Sequence, residues 1–223
     1  LLLTFLLLFA FINISEASNR ALIIGIGQGY SWPNKIKGPE VDITLAKSIA
    51  STMGYKDSEI RILSEDQATR DAILRGLDWV KEGVRAGGKA FIFFSGHGTQ
   101  VPDTNGDEED GCDEALVAVD LKLIIDDEIH IYLADMNNAE KIIMIDSCFS
   151  GTITKSIYSG SRENIKFIDK GANCGKPVNI KGIGRTKSLE AVTDGEGISK
   201  LIVLTAAAQN EASYGDITRS GKG

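Results

Sequence analysis

Lys141-Ile-Ile-Met-Ile-Asp146-Ser147-Cys148-Phe149-Ser150-Gly151 decides the reading of this chain. A short apolar run ends in an acid, a serine and a cysteine, then breaks at a glycine. A run of this length bounded by turn residues predicts a buried strand. Cys148 then stands just past the strand's C-terminal end, the edge of an open α/β sheet at which ligands bind. Lys89-Ala-Phe-Ile-Phe-Phe94-Ser95-Gly96-His97-Gly98 repeats the arrangement upstream, with a histidine in place of the cysteine. If the two strands are neighbours, a spacing of about 4.8 Å turns both side chains onto one site. A thiol becomes a nucleophile when a nearby base or cation lowers its pKa, and histidine is the usual partner. Each residue alone has a plainer reading: the cysteine as a small buried hydrophobe, the histidine as a turn residue. Two of them at matching strand ends, each flanked by Ser and Gly, point to a Cys–His pair.

The 223 residues suffice for one sizeable α/β domain with its own core. The hydrophobic fraction of 43% and charged fraction of 25% are those of ordinary globular chains. A net charge of −7 offers no basic footprint for nucleic acid. The three cysteines, Cys112, Cys148 and Cys174, do not describe a disulfide framework. With Cys148 as nucleophile, a Cys112–Cys174 bridge stays open as a choice for an oxidising compartment. No Cys-x-x-Cys occurs and there are two histidines, which argues against structural zinc.

Residues 1–12, LLLTFLLLFAFI, are too few to span a bilayer and match the apolar region of a signal peptide. Ser15-Glu16-Ala17 offers a small-x-small cleavage site. The expectation is export, periplasmic or extracellular, with a retained membrane anchor as the alternative and a buried helix as the third. The chain opens on Leu1 rather than Met, so further sequence is expected upstream.

Arg20–Ile26 predicts a first buried strand. Gly25-Ile-Gly27-Gln-Gly29 has the look of a dinucleotide-binding loop, but a third glycine is needed at Tyr30 and no helix opens there. It is expected to be a flexible loop, packed by Trp32 and Pro33. Pro39 opens a helix with Val41, Leu45, Ile49 and Ala50 as its apolar stripe, ending at Met53-Gly54. Asp42, in its first turn, complements the helix dipole. Ile60–Leu63 reads as a strand, and Arg70–Val84 as a helix carrying Ala72, Ile73, Leu77, Val80 and Val84. This β-α-β-α-β order implies parallel strands joined by right-handed crossovers.

Asp103 to Glu114 is strongly acidic. The plain reading is a solvated loop. The alternation of Asp103, Asn105 and Asp107, with Glu114 twelfth, resembles calcium-ligand spacing, but Glu108 stands where an EF-hand needs glycine. Leu116–Val119 and Leu123–Ile125 read as a hairpin through Asp120. Asp126-Asp127-Glu128 begins a helix with His130, Leu133 and Met136, on which His130 reads as a helix-face residue and not a catalytic one. Thr152–Glu190 carries eight basic residues against three acidic ones and reads as a long exposed linker. Leu201–Leu204 is a final strand.

Ser95-Gly96-His97-Gly98 and Asp146-Ser147-Cys148-Phe149-Ser150-Gly151 together resemble the two signatures of metacaspases and their bacterial caspase-like relatives, cysteine peptidases of clan CD. The resemblance runs from about Arg20 to Tyr214. Caspases carry Gln-Ala-Cys at the nucleophile, whereas Asp146-Ser147-Cys148 favours the metacaspase branch. Phe149 stands where many metacaspases have histidine. The resemblance implies a caspase-like three-layer α/β sandwich, its mostly parallel sheet flanked by helices, with the small-subunit part incomplete. Its divisions would be 1–18 (signal peptide or anchor), 19–151 (large-subunit catalytic region), 152–196 (basic linker) and 197–223 (start of the small subunit).

The same resemblance implies site residues and partners. His97 and Cys148 form the dyad, with the backbone N–H groups of Gly98 and Cys148 receiving the oxyanion. Asp42, Ser95 and Asp146 match an acidic pocket for a P1 Arg or Lys. Asp126 and Asp127, with Asp110 or Asp113, match part of an activating calcium cluster, although Lys155 replaces an expected aspartate. The expected partners are peptide or protein substrates with basic P1 residues, acting on a monomer. Nucleic acid is not expected, and membrane contact only through a retained N-terminal segment. Self-cleavage is expected in the basic linker. A non-catalytic regulatory module, and a clan CD peptidase of other P1 preference, remain the alternatives.

Overall fold

The computed structural model describes residues 18–31, 33–104, 111–136, 139–147 and 201–205. In chain order its elements are β1 (Arg20–Gly25), α1 (Pro39–Thr52), β2 (Ile60–Ser64), α2 (Arg70–Gly83), β3 (Lys89–Ser95), β4 (Gly98–Pro102), β5 (Cys112–Val117), β6 (Leu123–Ile125), α3 (Asp126–Ala134), β7 (Glu140–Asp146) and β8 (Leu201–Thr205). Five of the strands form one sheet in the order β2-β1-β3-β7-β8, and every pairing in it is parallel. The other three form a small antiparallel sheet, β4-β5-β6.

Helices pack on both faces of the parallel sheet, and β1 and β3 at its centre are buried almost throughout, which is why they are continuous apolar runs rather than alternations. Alternate residues still separate cleanly. Leu22, Ile24, Ile92 and Phe94 point to one side and join Ile73, Leu77 and Val80 of α2 and Leu133 of α3. Ala21, Ile23, Phe91 and Phe93 point to the other and join Ala46 and Ala50 of α1. The result is a three-layer α/β sandwich, as expected. Thr69 caps α2 by accepting the Ala72 N–H at 3.3 Å. The small sheet is tied to α2 through Arg70, whose backbone N–H donates to Asp120 (3.1 Å), whose Nε donates to the Leu123 carbonyl (2.8 Å), and which pairs with Glu128. Buried Lys141 donates from Nζ to the carbonyls of Leu133 (3.1 Å) and Met136 (3.3 Å), so a cation on β7 satisfies the carbonyl end of α3.

Four local expectations are corrected. The stripe Val41, Leu45 and Ile49 faces solvent, at 40%, 57% and 36% exposure, and α1 buries Pro39, Ala46 and Ala50 instead. Both sets have helical spacing. The strands beneath are crowded with Ile and Phe, so the face with small residues seats closer. The loop after β1 is a pinned segment and not a flexible one: Tyr30 and Ile36 are buried in it, whereas Pro33 is exposed and Trp32 lies outside the described residues. Residues 112–114, read as loop, open strand β5, which pairs with β4 over 98–102; that pairing decides this, not their own periodicity. Met136, expected on the helix, is buried but lies beyond the end of α3. Among the described residues no helix is long and apolar enough to cross a membrane; residues 1–17 lie outside them.

The reversed face of α1 gives a direct expectation. Leu45→Lys leaves the unfolding free energy within about 0.5 kcal/mol of the parent, as an exposed substitution does. Ala46→Leu overfills the contact with the sheet and lowers stability by about 1–3 kcal/mol. The opposite ranking in equilibrium unfolding would restore the 41/45/49 face to the core.

Candidate active site

Register fixes the site's floor. Ser64, Gly25, Ser95 and Asp146 are successive partners across β2, β1, β3 and β7, so they form one row at the C-terminal edge of the sheet. The row is carried one step further by the Ile26 N–H to the Ser95 carbonyl (2.9 Å) and the Gly96 N–H to the Asp146 carbonyl (3.3 Å). His97 lies two residues beyond Ser95, and Cys148 two residues beyond Asp146. Cys148 is outside the described residues, as are Gly151, Asp110 and Cys174. Connectivity alone keeps its Cα within about 7.6 Å of that of Asp146. Ser147, between them, is fully buried.

His97 stands where the chain turns from β3 into β4, and it is buried. Its Nε2 lies 2.6 Å from the Asn34 carbonyl oxygen. A carbonyl can only accept, so Nε2 carries the proton in this contact and Nδ1 of the neutral ring is the nitrogen left to take one. Tyr30 packs beside the ring, centroids 4.6 Å apart and planes inclined at 49°. The Tyr30 hydroxyl accepts the His97 backbone N–H (3.1 Å) and donates to the Val117 carbonyl (2.7 Å). A Cβ on Gly96 would come within 2.9 Å of both the Tyr30 hydroxyl and the Phe94 ring, so the turn before His97 needs glycine.

Gly98 begins β4 opposite Leu116. The Val117 N–H donates to the His97 carbonyl at 2.9 Å. That bond makes Gly98 and Leu116 a pair without mutual hydrogen bonds, so the Gly98 N–H points away from β5. Asp42 reaches the site because α1 settles onto β1 at Gly25: a Cβ there would meet Ile43 at 2.5 Å and the Pro39 carbonyl at 3.0 Å. Its carboxylate accepts the Ser95 hydroxyl at 2.6 Å. Asp42, Ser95 and Asp146 are thus brought together. Ser95 is buried between the other two, which are half-buried.

Elsewhere, Asp113 is buried on β5, while Asp126 and Asp127 begin α3. The pairing of Ala115 with Ile125 sets the two acidic stretches side by side. Cys112 is buried on β5. His130 lies on α3 and is exposed. Tyr30 and Asn34, which touch His97, and Glu65, which holds their loop, were not singled out from sequence. The available signal was an aromatic residue closing a glycine-rich loop at the active edge; the Asn34 contact uses a backbone carbonyl and leaves no trace in residue type.

Residues 19–156 match the family model described as metacaspase, peptidase C14 domain. Metacaspase-1B of Aspergillus fumigatus is 35% identical over 158 residues, 66% of this chain and 38% of the relative. Metacaspase-1 of Pyricularia oryzae is 30% identical over 181 residues, 76% of this chain and 45% of the relative. A solved structure, protein GSU0716 from Geobacter sulfurreducens, superposes with a TM-score of 0.54 at 26% identity, covering 68% of this chain and 57% of that one. The parallel sheet with its Ser-Gly-His and Asp-Ser-Cys strand ends is therefore that of a known class, and the chain belongs to the metacaspase family of C14 peptidases. It spans less than half the length of these curated relatives.

Burial pushes the Tyr30 hydroxyl well above its usual ionisation range; the His97 N–H opposes this and the Glu65 charge adds to it. The unfolded phenol ionises near pH 10 while the folded one stays protonated, so its contribution is fully present below about pH 10 and is lost as the pH rises beyond it. Urea midpoints should fall as the pH is raised above about 10, and fall less steeply in Tyr30→Phe. Parallel profiles for the two proteins would contradict the assignment.

Proposed function

We propose that this chain is the catalytic region of a cysteine endopeptidase that cleaves after Arg or Lys. The observation that carries the reading is the in-register pairing of β3 with β7, Ser95 opposite Asp146, which sends His97 and Cys148 off neighbouring strand ends. In this reading the Cys148 thiolate attacks the peptide carbonyl. The pair of electrons moves onto the carbonyl oxygen, and the Gly98 N–H, directed away from β5, donates to that oxyanion with the Cys148 N–H. His97 takes the thiol proton at Nδ1 and returns it to the leaving amine, while Asn34 holds Nε2–H. Water then hydrolyses the acyl-enzyme.

Asp42 and Asp146 on either side of Ser95 support a basic P1 preference. Two carboxylates around one slot favour a cation and oppose an aspartate. Calcium activation is a proposal of the same kind. Asp113, Asp126 and Asp127 lie along adjoining elements, with Asp110 contributed from outside the described residues. Among the described residues no three acidic, His or Cys side chains are grouped as metal ligands are, so those residues do not close a site by themselves. Export through the segment at 1–17 and self-cleavage in the 152–196 linker complete the proposal.

Fluorogenic peptides ending in Arg, Lys or Asp separate these readings. Arg and Lys peptides are cleaved, Asp peptides are not, and Cys148→Ala abolishes turnover. Asp42→Ala lowers kcat/KM for Arg peptides by about tenfold to a hundredfold, the value of one charge-assisted contact. Faster cleavage after Asp would sink the pocket assignment. Silence on every peptide from a folded chain would favour a regulatory module. Calcium is expected to raise the melting temperature, and mass spectrometry to find cuts between 152 and 196 that Cys148→Ala lacks; an unchanged melting curve and an intact chain would remove those two parts.

A further inference from the structure

His97 is held from two directions. Its backbone sits in a closed circuit: the His97 N–H donates to Tyr30 Oη (3.1 Å), Tyr30 donates on to the Val117 carbonyl (2.7 Å), and the Val117 N–H returns to the His97 carbonyl (2.9 Å). One bond accepted and one donated fix the single hydroxyl rotor. The imidazole is held by the loop of residues 27–36, through the Tyr30 ring and the Asn34 carbonyl.

That loop has no regular secondary structure to keep it in place. It closes on itself through Ile36 N–H to the Gly27 carbonyl (3.2 Å), Asn34 N–H to the Ser31 carbonyl (2.8 Å) and Gln28 Nε2 to the Ile36 carbonyl (2.9 Å). A carboxylate anchors it to the sheet: Glu65, just past β2, accepts the N–H of Gly27 at 3.1 Å and that of Gly29. Glu65 has φ +49°, the left-handed region that long side chains rarely adopt. The strained residue is therefore the one that grips the loop facing His97.

We propose that Tyr30 and Glu65 are positioning residues for His97, Tyr30 directly and Glu65 through the loop that presents Tyr30 and Asn34. The catalytic part of this proposal rests on His97 being the acid–base partner of Cys148. Tyr30 takes no part in proton exchange itself: it is 1% exposed and its hydroxyl is committed to backbone on both sides.

The chain has two histidines, so its imidazole NMR spectrum offers His97 as the reporter and exposed His130 as the control. Tyr30→Phe keeps the ring and loses both hydroxyl bonds. Glu65→Ala frees the loop, while Glu65→Gln retains an acceptor oxygen at the same reach. Tyr30→Phe and Glu65→Ala are expected to shift or broaden the His97 signals and leave those of His130 in place; Glu65→Gln brings them back toward the parent. In the same preparations Tyr30→Phe lowers kcat about tenfold or more with KM within about twofold, the mark of a misplaced acid–base group. A merely structural Tyr30 would lower the melting temperature and leave kcat and the His97 signals alone. His97 signals unmoved in both folded variants overturn the proposal, whatever the peptide assay gives. Moved signals in a parent chain that cleaves no peptide retain the positioning and reject the dyad. If Tyr30→Phe does not fold, the Glu65 pair decides.

Discussion

Everything at the site depends on the parallel pairing of β3 with β7. In a parallel ladder the side-chain period is two, and a slip of one residue would turn each strand's inward set outward. The alternation of Ile92 and Phe94 on one face with Phe91 and Phe93 on the other commits β3 to its register, because both faces are covered. The same commitment in β7, through Ile143 on one face and Ile142 and Met144 on the other, brings Ser95 level with Asp146. The chemistry-bearing ends of the two strands are aligned by core packing that has no chemical role.

Around that edge the chain places polar groups where backbone would otherwise be unpartnered. The turn from β3 into β4 is stitched by a tyrosine hydroxyl, and the loop after β1 by a glutamate side chain. Close approaches at Gly25 and Gly96 shape the same edge, one bringing α1 and Asp42 down to Ser95, the other admitting Tyr30 beside His97. The site is therefore assembled from four separate stretches of sequence: the 27–36 loop running into the start of α1, the residue after β2, and the ends of β3 and β7.

Legibility followed periodicity and residue type. The apolar runs of β1, β3 and β7 could be read because a parallel strand within a sheet carries no polar alternation to confuse. His97, Ser95 and Asp146 could be picked out because short motifs mark them, and Asp42 only through the family resemblance. The face of α1 could not, since two stripes with helical spacing compete along it and only the crowded sheet selects the one with alanines. Strands β4 and β5 were hidden because an antiparallel ladder between them satisfies backbone groups that their polar side chains do not advertise.

By itself the sequence determined the class: parallel α/β, with a histidine and a cysteine each placed just beyond a buried strand. Those follow from local pattern, since burying a strand on both faces demands an apolar run and leaving it demands turn residues. The tertiary structure alone decided how His97 is oriented. Asn34 contributes a carbonyl common to every residue type, Tyr30 contributes both a ring and a hydroxyl, and Glu65 acts through two glycine N–H groups. Backbone partners and contacts across long sequence separations carry no signature in residue order, and become visible once the strands have been brought side by side.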